Sequence, residues 1–364
     1  MTQLAAAHGA VNLGQGAPGD PAPGFLLDAA YDAMLAGANQ YPLANGVEAL
    51  REAVAMHRQR DWGHRVEPAD VLITAGATEA LTAAIVALAP PGTDVVVLEP
   101  YYDSYAAAAE LAGARLRPVG LAMDGAEVGV DFDALAEAVS ERTSIVLLNT
   151  PHNPTGLVLD EEQIRRVGAI AESVGAWLLT DEVYEHLVFE RAHIAPGAVL
   201  GGGNVVTVSS AGKTYNATGW KIGWLIAPPE VLEAARAVKQ YLTFGIGTPM
   251  QHAVARALRD HPAFLPENAR TLAGRRDTLV DALHRVPGAT VVVPASGYFA
   301  LVDFSGLDGC TGDAFSLNER LTREVGVTGI PVPALCAPGS PTARALSSAI
   351  RYSFCKGADD VDEG

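Results

Sequence analysis

Six short apolar runs, separated by longer amphipathic segments, constrain the fold of this chain more than any other feature. The runs lie at residues 71–74, 95–98, 145–148, 177–180, 205–208 and 222–226. Their apolarity is continuous rather than alternating, as expected of strands buried on both faces. The segments between them have helical patterns, at residues 78–89, 103–112, 131–139 and 160–174. This alternation predicts an α/β fold with a large, doubly wound, mostly parallel sheet.

The pattern changes after about residue 230, where a smaller α+β domain is predicted. Long helical segments fill residues 229–285, and they are followed by strands at 290–293 and 298–303, a helix at 311–325 and a strand at 350–354. The first 40 residues are rich in glycine and proline before a helix at 25–35. We predict an N-terminal arm that is part of the small domain at 1–40, a large domain at 41–270 and a small domain at 271–364, which ends in an acidic tail.

Composition excludes several classes of partner. The chain of 364 residues carries 42 acidic and 25 basic residues, a net charge of -17. Such a chain has no general attraction for nucleic acid or anionic membranes. It has neither an apolar run of transmembrane length nor a signal-like start, so we expect a cytoplasmic protein. The three cysteines are expected to be free thiols, and no motif with metal-ligand spacing is present, so no metal is expected.

Ligands of open parallel sheets bind beyond the carboxyl ends of the strands, so the residues after each run are the candidate site residues. Gly76, Ala77 and Thr78 follow the first run and open a helical segment. Small residues let the backbone approach a ligand, and the free N–H groups of a helix N-terminus attract anions. This pattern predicts a phosphate-type site. An ordinary turn with Thr78 as the helix N-cap is the alternative.

Polar side chains also follow the third and fourth runs. Asn153 lies in a turn at 149–156 that two X-Pro steps make rigid. Asp181 directly follows the fourth run, where a carboxylate needs a cation or a donor, and Tyr184 lies three residues later. The alternatives are plain turn chemistry for Asn153 and a helix N-cap for Asp181.

Lysine is rare in this chain. The four lysines are Lys213, Lys221, Lys239 and Lys356. Lys213 and Lys221 lie among hydroxyls and glycines in a segment that includes Ser210. A neighbouring cation favours the neutral form of a lysine, which an amine nucleophile requires. A pair of surface lysines beside a loop is the alternative.

Arg351 lies inside the last apolar strand, where a guanidinium usually faces a carboxylate. An internal ion pair explains an arginine at this position as well as binding of a substrate carboxylate does. Taken together, however, the anion site, Asp181 and Lys213 match the phosphate, the ring nitrogen and the aldehyde of a single ligand. Arg351 would add a site for a substrate carboxylate. These residues describe pyridoxal 5'-phosphate together with an amino acid.

The sequence resembles the class I/II aminotransferases, which have fold type I of the pyridoxal-phosphate enzymes, across essentially the whole chain. The likeness rests on Asn153-Pro154-Thr155-Gly156 and on the segment from Ser210 to Gly223. Segments 12–16, 39–42 and 151–156 are most similar to the kynurenine/glutamine/methionine aminotransferase group and to actinobacterial N-succinyldiaminopimelate aminotransferases. The resemblance implies a large domain with a seven-stranded type of sheet.

The resemblance also implies roles for the cofactor-binding residues. Lys213 is the Schiff-base lysine and moves the proton, Asp181 pairs with the ring nitrogen, and Tyr184 and Asn153 contact the ring hydroxyl oxygen. The phosphate is bound by Gly76, Ala77, Thr78, Ser210 and Lys221. Tyr102 stacks on the ring, with Tyr101 as the alternative.

The substrate and the second subunit are assigned in the same way. Arg351 holds the α-carboxylate of the substrate, with Gly16 and Asn153 beside it. Tyr41 reaches the phosphate of the neighbouring subunit, so the resemblance implies a homodimer with composite active sites.

The implied activity is that of an aminotransferase of the EC 2.6.1 class in amino-acid metabolism and biosynthesis. An amino acid leaves its amino group on the cofactor, and a second 2-oxo acid, expected to be 2-oxoglutarate, accepts it. A pyridoxal-phosphate β-lyase acting on cysteine conjugates would use the same residues and is the first alternative. The second alternative is a non-enzymatic binding protein that kept the fold, against which the intact Lys213, Asp181 and Arg351 argue.

Overall fold

A computed structural model describes residues 1–201, 203–310 and 313–364, without the side chains of residues 362 and 363. Seven strands form the central sheet, with the labels numbered along the chain. Across the sheet they are β2 (Val71–Ala75), β10 (Ile222–Ile226), β9 (Val205–Ser210), β8 (Trp177–Asp181), β7 (Thr143–Asn149), β3 (Asp94–Glu99) and β4 (Arg115–Gly120). Only β10 runs antiparallel to its neighbours, so the predicted doubly wound, mostly parallel sheet is confirmed.

Helices cover the central sheet on both faces, which explains the continuous apolar runs. The helices are α1 (Thr2–His8), α2 (Gly24–Leu35), α3 (Glu48–Trp62), α4 (Gly76–Leu88), α5 (Ser104–Ala112), α6 (Phe132–Ala138), α7 (Glu161–Ser173), α8 (Pro196–Leu200), α9 (Ala211–Thr214), α10 (Pro229–Leu242), α11 (Thr248–Asp260), α12 (Phe264–Leu283), α13 (Ala314–Arg320), α14 (Pro341–Ala345) and α15 (Ala358–Glu363). Alternate strand residues pack against α4, α5 and α10 on one face, and the others pack against α2, α3, α6, α7 and α11. Among the described residues, no helix combines the length and the apolarity needed to span a membrane.

A second, antiparallel sheet lies in the C-terminal part of the chain. Its order is β11 (Thr290–Val292), β12 (Phe299–Asp303), β15 (Ala349–Ser353) and β14 (Ile330–Pro331). The N-terminal arm joins this region, because β1 (Val11–Asn12) pairs in parallel with β13 (Val327–Thr328). A short hairpin, β5 (Ala122–Asp124) with β6 (Glu127–Gly129), is separate from both sheets. The proposed domain limits at residues 40 and 270 stay a prediction.

Several boundaries differ from the sequence-based expectations. The helix expected at 311–325 begins at Ala314 as α13 and continues as a π-helical turn over Leu321–Val325, while residues 311 and 312 lie outside the described residues. The segment expected to be an acidic tail forms α15, which packs its buried Val361 against the small-domain core. The helices α1 and α3 and the strand β4 were not predicted, because their patterns are less apolar than those of the central strands.

Close backbone packing at Gly223 brings β10 against the start of α4. A Cβ atom at Gly223 would lie 2.5 Å from the carbonyl carbon of Gly76 and 2.8 Å from the nitrogen of Ala77. These contacts are shorter than any relaxed carbon contact, so the position requires glycine. The approach places Lys221, which precedes β10, beside the N-terminus of α4.

We therefore expect Gly223→Ala to separate β10 from α4 and to lower the free energy of unfolding by about 1–3 kcal/mol, the range typical of overpacking. Urea unfolding of the purified variant measures this loss. Gly219→Ala is the matched control, since a Cβ atom at Gly219 meets nothing within 4 Å. Equal stability of the two variants would contradict the packing argument.

Candidate active site

A cavity of about 260 Å³ opens at the carboxyl ends of the central strands. It is lined by most of the residues that the sequence predicted for the site: Gly16, Gly76, Ala77, Thr78, Tyr102, Asn153, Asp181, Tyr184, Ser210, Lys213, Lys221 and Arg351. They come from the arm, from the carboxyl ends of β2, β3, β7, β8 and β9 or the residues that follow these strands, from the residue before β10, and from β15. The fold therefore brings together residues that are up to 335 positions apart, from Gly16 to Arg351.

One end of the cavity is built to hold an anion. The helix α4 begins at Gly76, with a φ of +72°, and its first residues, Gly76, Ala77 and Thr78, line the cavity. A Cβ atom at Gly76 would lie 3.3 Å from Nζ of Lys221, so the ammonium group is next to the helix N-terminus. Ala75 occupies the N-cap position, and the alternative role of Thr78 as N-cap is therefore wrong. A helix N-terminus together with a lysine is suited to a phosphate.

Asp181 ends β8 at the floor of the cavity, with 3% of its surface exposed. Its Oδ2 accepts a hydrogen bond of 2.6 Å from the hydroxyl of Tyr105, and its Oδ1 accepts one of 3.3 Å from the backbone of Val183. Burial raises the pKa of Asp181 to about 6, although both hydrogen bonds act in the opposite direction. A turn rather than a helix follows, so the N-cap alternative for Asp181 is wrong.

Tyr105 is a site residue that the sequence reasoning missed. It lines the cavity, and its ring packs edge-on against Tyr102 with 5.8 Å between the centroids. Tyr102 is partly exposed to the cavity, whereas Tyr101 is buried and does not line it. The spacing of three residues between Tyr102, just before α5, and Tyr105, in the first turn of α5, was the available signal.

Lys213 lies in the single turn of α9, directly after β9 and Ser210. Its Nζ donates to the carbonyl oxygen of Gly16 over 3.3 Å and lies 5.5 Å from the ring centre of Tyr298. Burial lowers the pKa of Lys213, and the charges of Lys221 and Arg351 lower it further, although Asp181 opposes them. A lowered pKa increases the fraction of neutral amine, which is the nucleophilic form.

Arg351 enters the cavity from β15 with 8% of its surface exposed. Its two terminal nitrogens donate to Oδ1 of Asn153 over 3.0 Å and to the carbonyl oxygen of Gly14 over 2.8 Å, and its carbon Cζ lies 3.9 Å above the ring of Phe299. Its Nε is buried without a partner within the described ranges, and no carboxylate of those ranges forms a salt bridge with it. The internal ion pair is thus wrong, and the positive charge stays available to a ligand.

Tyr41 is the predicted site residue that does not reach the cavity of its own chain. Its side chain is 83% exposed, and its ring packs edge-on against Phe244 with 5.3 Å between the centroids. Its role across a subunit boundary stays a prediction. Further cavity residues that were not predicted are Leu81, Tyr105, Asn149, Val183, Gly212, Thr218, Ile222 and Phe299.

Comparisons with known proteins show the family of the chain. The model of the family "Aminotransferase class I and II" matches residues 9–360. The chain is 42% identical to a probable N-succinyldiaminopimelate aminotransferase of Mycobacterium tuberculosis, over 100% of this chain and 92% of that protein. It is 39% identical to the methionine aminotransferase of Escherichia coli, over 98% and 90% of the two chains. The solved structure of the N-succinyldiaminopimelate aminotransferase from M. tuberculosis superimposes with a TM-score of 0.95 at 41% identity, covering 100% of this chain and 94% of the other.

The chain belongs to the class I and II aminotransferases. It is accordingly a pyridoxal-phosphate-dependent aminotransferase, with the fold type I architecture, and it moves an amino group from an amino acid to a 2-oxo acid. The residues present fit this cofactor on structural grounds. Lys221 and the start of α4 provide an anion site, Asp181 is a buried carboxylate, and the unpartnered Nε of Arg351 leaves a donor for a substrate.

The hydrogen bond from Tyr105 generates a prediction about Asp181. Tyr105→Phe removes a donor to the ionised carboxylate, so the pKa of Asp181 in the apoprotein should rise above about 6. Cofactor affinity at pH 7 should fall by about tenfold, the effect of losing one hydrogen bond to a charged group. The defect should grow as the pH falls, because a protonated Asp181 no longer attracts a ring cation.

The carboxyl infrared band of the apoprotein, followed against pH, and a cofactor titration measure the two effects. Tyr215→Phe is the matched control, since the hydroxyl of Tyr215 is buried and has no partner in the described part of the chain. If both variants change the pKa of Asp181 equally, the hydrogen bond from Tyr105 is not the cause.

Proposed function

We propose that the cavity holds pyridoxal phosphate between the start of α4 and Lys213, and that Arg351 binds the α-carboxylate of the amino acid and of the 2-oxo acid. The observation that carries the proposal is the unpaired charge of Arg351. A buried guanidinium whose Nε has no partner among the described residues is costly unless a ligand completes it. The guanidinium, the amine of Lys213 and the carboxylate of Asp181 line the same cavity, so a single bound amino acid can contact the first two.

Each charged group then has a distinct task. Bound pyridoxal phosphate supplies an electron-accepting ring, which lowers the cost of removing the proton from the substrate α-carbon. The carboxylate of Asp181 keeps a proton on the ring nitrogen, because an ionised partner favours the protonated form of that nitrogen. The Nζ of Lys213 removes the α-proton and returns it, and burial, which lowers its pKa, increases the fraction of neutral amine that can act as the base.

The remaining cavity residues orient the ligands. Asn153 accepts a hydrogen bond from Arg351 through Oδ1, and its backbone N–H donates to Asn149 over 2.7 Å. Asn153 is thereby fixed, and we propose that Tyr184 lies with it at the ring hydroxyl oxygen. We assign the stacking role to Tyr102, which is supported by its partial exposure to the cavity and by its contact with Tyr105.

We propose an amino donor of the N-succinyldiaminopimelate type or of the kynurenine/glutamine/methionine type, 2-oxoglutarate as the acceptor and a role in biosynthesis. The names of the relatives at 42% and 39% identity support the first assignment. The β-lyase alternative is not favoured, because the relatives are named as aminotransferases. A cytoplasmic location also stays a proposal, and the three free cysteines fit a reducing compartment.

We further propose that the enzyme is a homodimer with composite active sites. The ring of Tyr41 contacts the exposed Phe244, and other large apolar side chains are exposed at the end of α2, at the end of α10 and near Tyr41 in the chain: Leu35, Leu43, Tyr241 and Leu242. The segment before Tyr41 is joined to the start of α11, since Thr248 donates a hydrogen bond of 2.7 Å to the carbonyl oxygen of Gln40. An apolar surface of this kind is typical of a protein interface.

The role of Arg351 predicts a uniform effect on all substrates. Arg351→Lys keeps the charge but loses the planar fork, so KM should rise and kcat should fall for every amino donor. The combined loss in kcat/KM should be about 10- to 100-fold, which corresponds to about 1.4–2.8 kcal/mol. Steady-state kinetics with a panel of amino acids and 2-oxoglutarate measures it.

Arg344 provides the control for this experiment, because it is exposed and bonds to the backbone of Gly339. Arg344→Ala should retain activity within about twofold, as is usual for exposed positions. If Arg344→Ala lowered kcat/KM for all amino donors and Arg351→Lys did not, the site for the substrate carboxylate would be at Arg344.

The proposed dimer predicts complementation between two inactive variants. Tyr41→Ala removes the residue that would reach the partner's site, whereas Lys213→Ala inactivates the site of its own chain. A mixed dimer then has one complete site, so mixing the two proteins should restore part of the activity. If subunits exchange, as shown with differently tagged chains, and no activity returns, Tyr41 does not act across a subunit boundary.

A further inference from the structure

A buried cluster of histidine and acidic side chains lies outside the aminotransferase cavity, between α3 and the segment that follows β8. We call it the α3–β8 cluster, and its members are His57, Asp61, Glu185 and His186. His57 and Asp61 lie one helical turn apart and therefore share a face of α3. Glu185 and His186 follow Tyr184 directly in the chain. The proposed function uses none of these four side chains.

The ligating atoms of the cluster converge. The Nε2 atoms of His57 and His186 are 2.7 Å apart, and Oδ2 of Asp61 lies 3.6 Å from the first and 4.0 Å from the second. A carboxylate oxygen of Glu185 lies within 4.8 Å of a ring nitrogen of each histidine. The two imidazole nitrogens and the carboxylate of Asp61 thus face a common point, with Glu185 nearby. Trp62 fixes the rings, with 4.9 Å between its centroid and that of each imidazole.

The carboxylates around this point are paired with neighbouring donors. Arg58 donates to Glu182 over 3.0 Å and to Glu185 over 2.5 Å, so one buried guanidinium faces two buried carboxylates. The other oxygen of Glu185 accepts a hydrogen bond of 2.7 Å from the hydroxyl of Ser209. Asp61 is paired with Arg60, which is partly exposed.

Neutral imidazoles and carboxylates are the ligands that zinc and similar divalent transition metals prefer. The contact between the two Nε2 atoms is a hydrogen bond, so one of them carries a proton. That ring must move its proton from Nε2 to Nδ1 before both Nε2 atoms can ligate a metal. The site is accessible, because Asp61 and His186 also line an open cavity on the surface of the protein.

We propose that His57, His186 and Asp61 bind one zinc-type divalent cation per chain. Two nitrogens in a tetrahedral zinc site lie about 3.4 Å apart at Zn–N distances of ~2.05 Å. The two imidazoles must therefore separate by roughly 0.7 Å, and Asp61 must move inwards by a similar amount. The bound ion would connect α3 to the segment that carries Asp181 and Tyr184, and so would stabilise the floor of the active site. The sequence motifs predicted no metal, because these ligands are 129 residues apart.

The test uses the cofactor-loaded protein, stripped of metal with a chelator and freed of unbound cofactor. Titration with zinc chloride, metal analysis after dialysis and thermal unfolding with and without zinc are measured together. We expect one retained zinc per chain and a higher melting temperature with zinc. Zinc-edge X-ray absorption should show two imidazole ligands at about 2.0 Å.

Variants separate this site from other zinc-binding positions. His186→Gln and Asp61→Asn should weaken zinc binding by more than about 100-fold, beyond the loss typical of an outer-shell partner, and should abolish the zinc-dependent melting shift. His64→Ala is the matched control, since His64 is a buried histidine that contacts Arg58 but lies outside the cluster. His284→Ala controls for exposed histidines.

Each variant is compared with itself with and without zinc, so a lower intrinsic stability does not obscure the result. Asp61→Asn is at the solvent-facing edge and should fold even if His186→Gln does not. Absence of retained zinc in the unsubstituted protein would overturn the proposal, as would zinc binding that survives both cluster substitutions.

Discussion

Three buried, charged side chains line one cavity without pairing with one another, and the rest of the site depends on this arrangement. Asp181 is held by Tyr105, Lys213 by the carbonyl of Gly16, and Arg351 by Asn153 and the carbonyl of Gly14. Direct ion pairs among the three would satisfy the charges and close the cavity. Neutral hydrogen-bond partners fix the side chains instead and leave each charge for a ligand. Keeping these charges buried costs free energy, and the stability of the surrounding fold offsets this cost.

The fold holds the three charged side chains in one cavity by joining two sheets there. The central sheet contributes Asp181 and Lys213 from adjacent strand ends, whereas Arg351 comes from the antiparallel sheet. The arm connects the two, because it pairs with β13 and places Gly14 and Gly16 between Arg351 and Lys213. The arm is therefore part of the active site rather than a peripheral segment. Gly223 completes the assembly by allowing β10 to approach α4.

The sequence was sufficient to predict the residues at the ends of parallel strands. Asp181 and Lys213 each follow an apolar run, and the topology of a parallel sheet brings such positions together. Tyr105 was missed because its partner, Asp181, is 76 residues away. The backbone acceptors at Gly14 and Gly16 carry no side-chain signal at all. The role of Tyr41 depends on a second chain, and the ligating atoms of the α3–β8 cluster converge only in three dimensions.

We propose that the amine of Lys213, and no other, bonds to the cofactor. Borohydride reduction of the cofactor-loaded protein, followed by proteolysis and mass spectrometry, tests it directly, because reduction makes a lysine–aldehyde bond permanent. We expect the cofactor mass on the peptide that contains Lys213 and none on the peptides with Lys221 or Lys239. Lys239 is a suitable internal control, since it is buried and bonded to the backbone of Phe244. A label on Lys221, or on any lysine other than Lys213, would contradict the account.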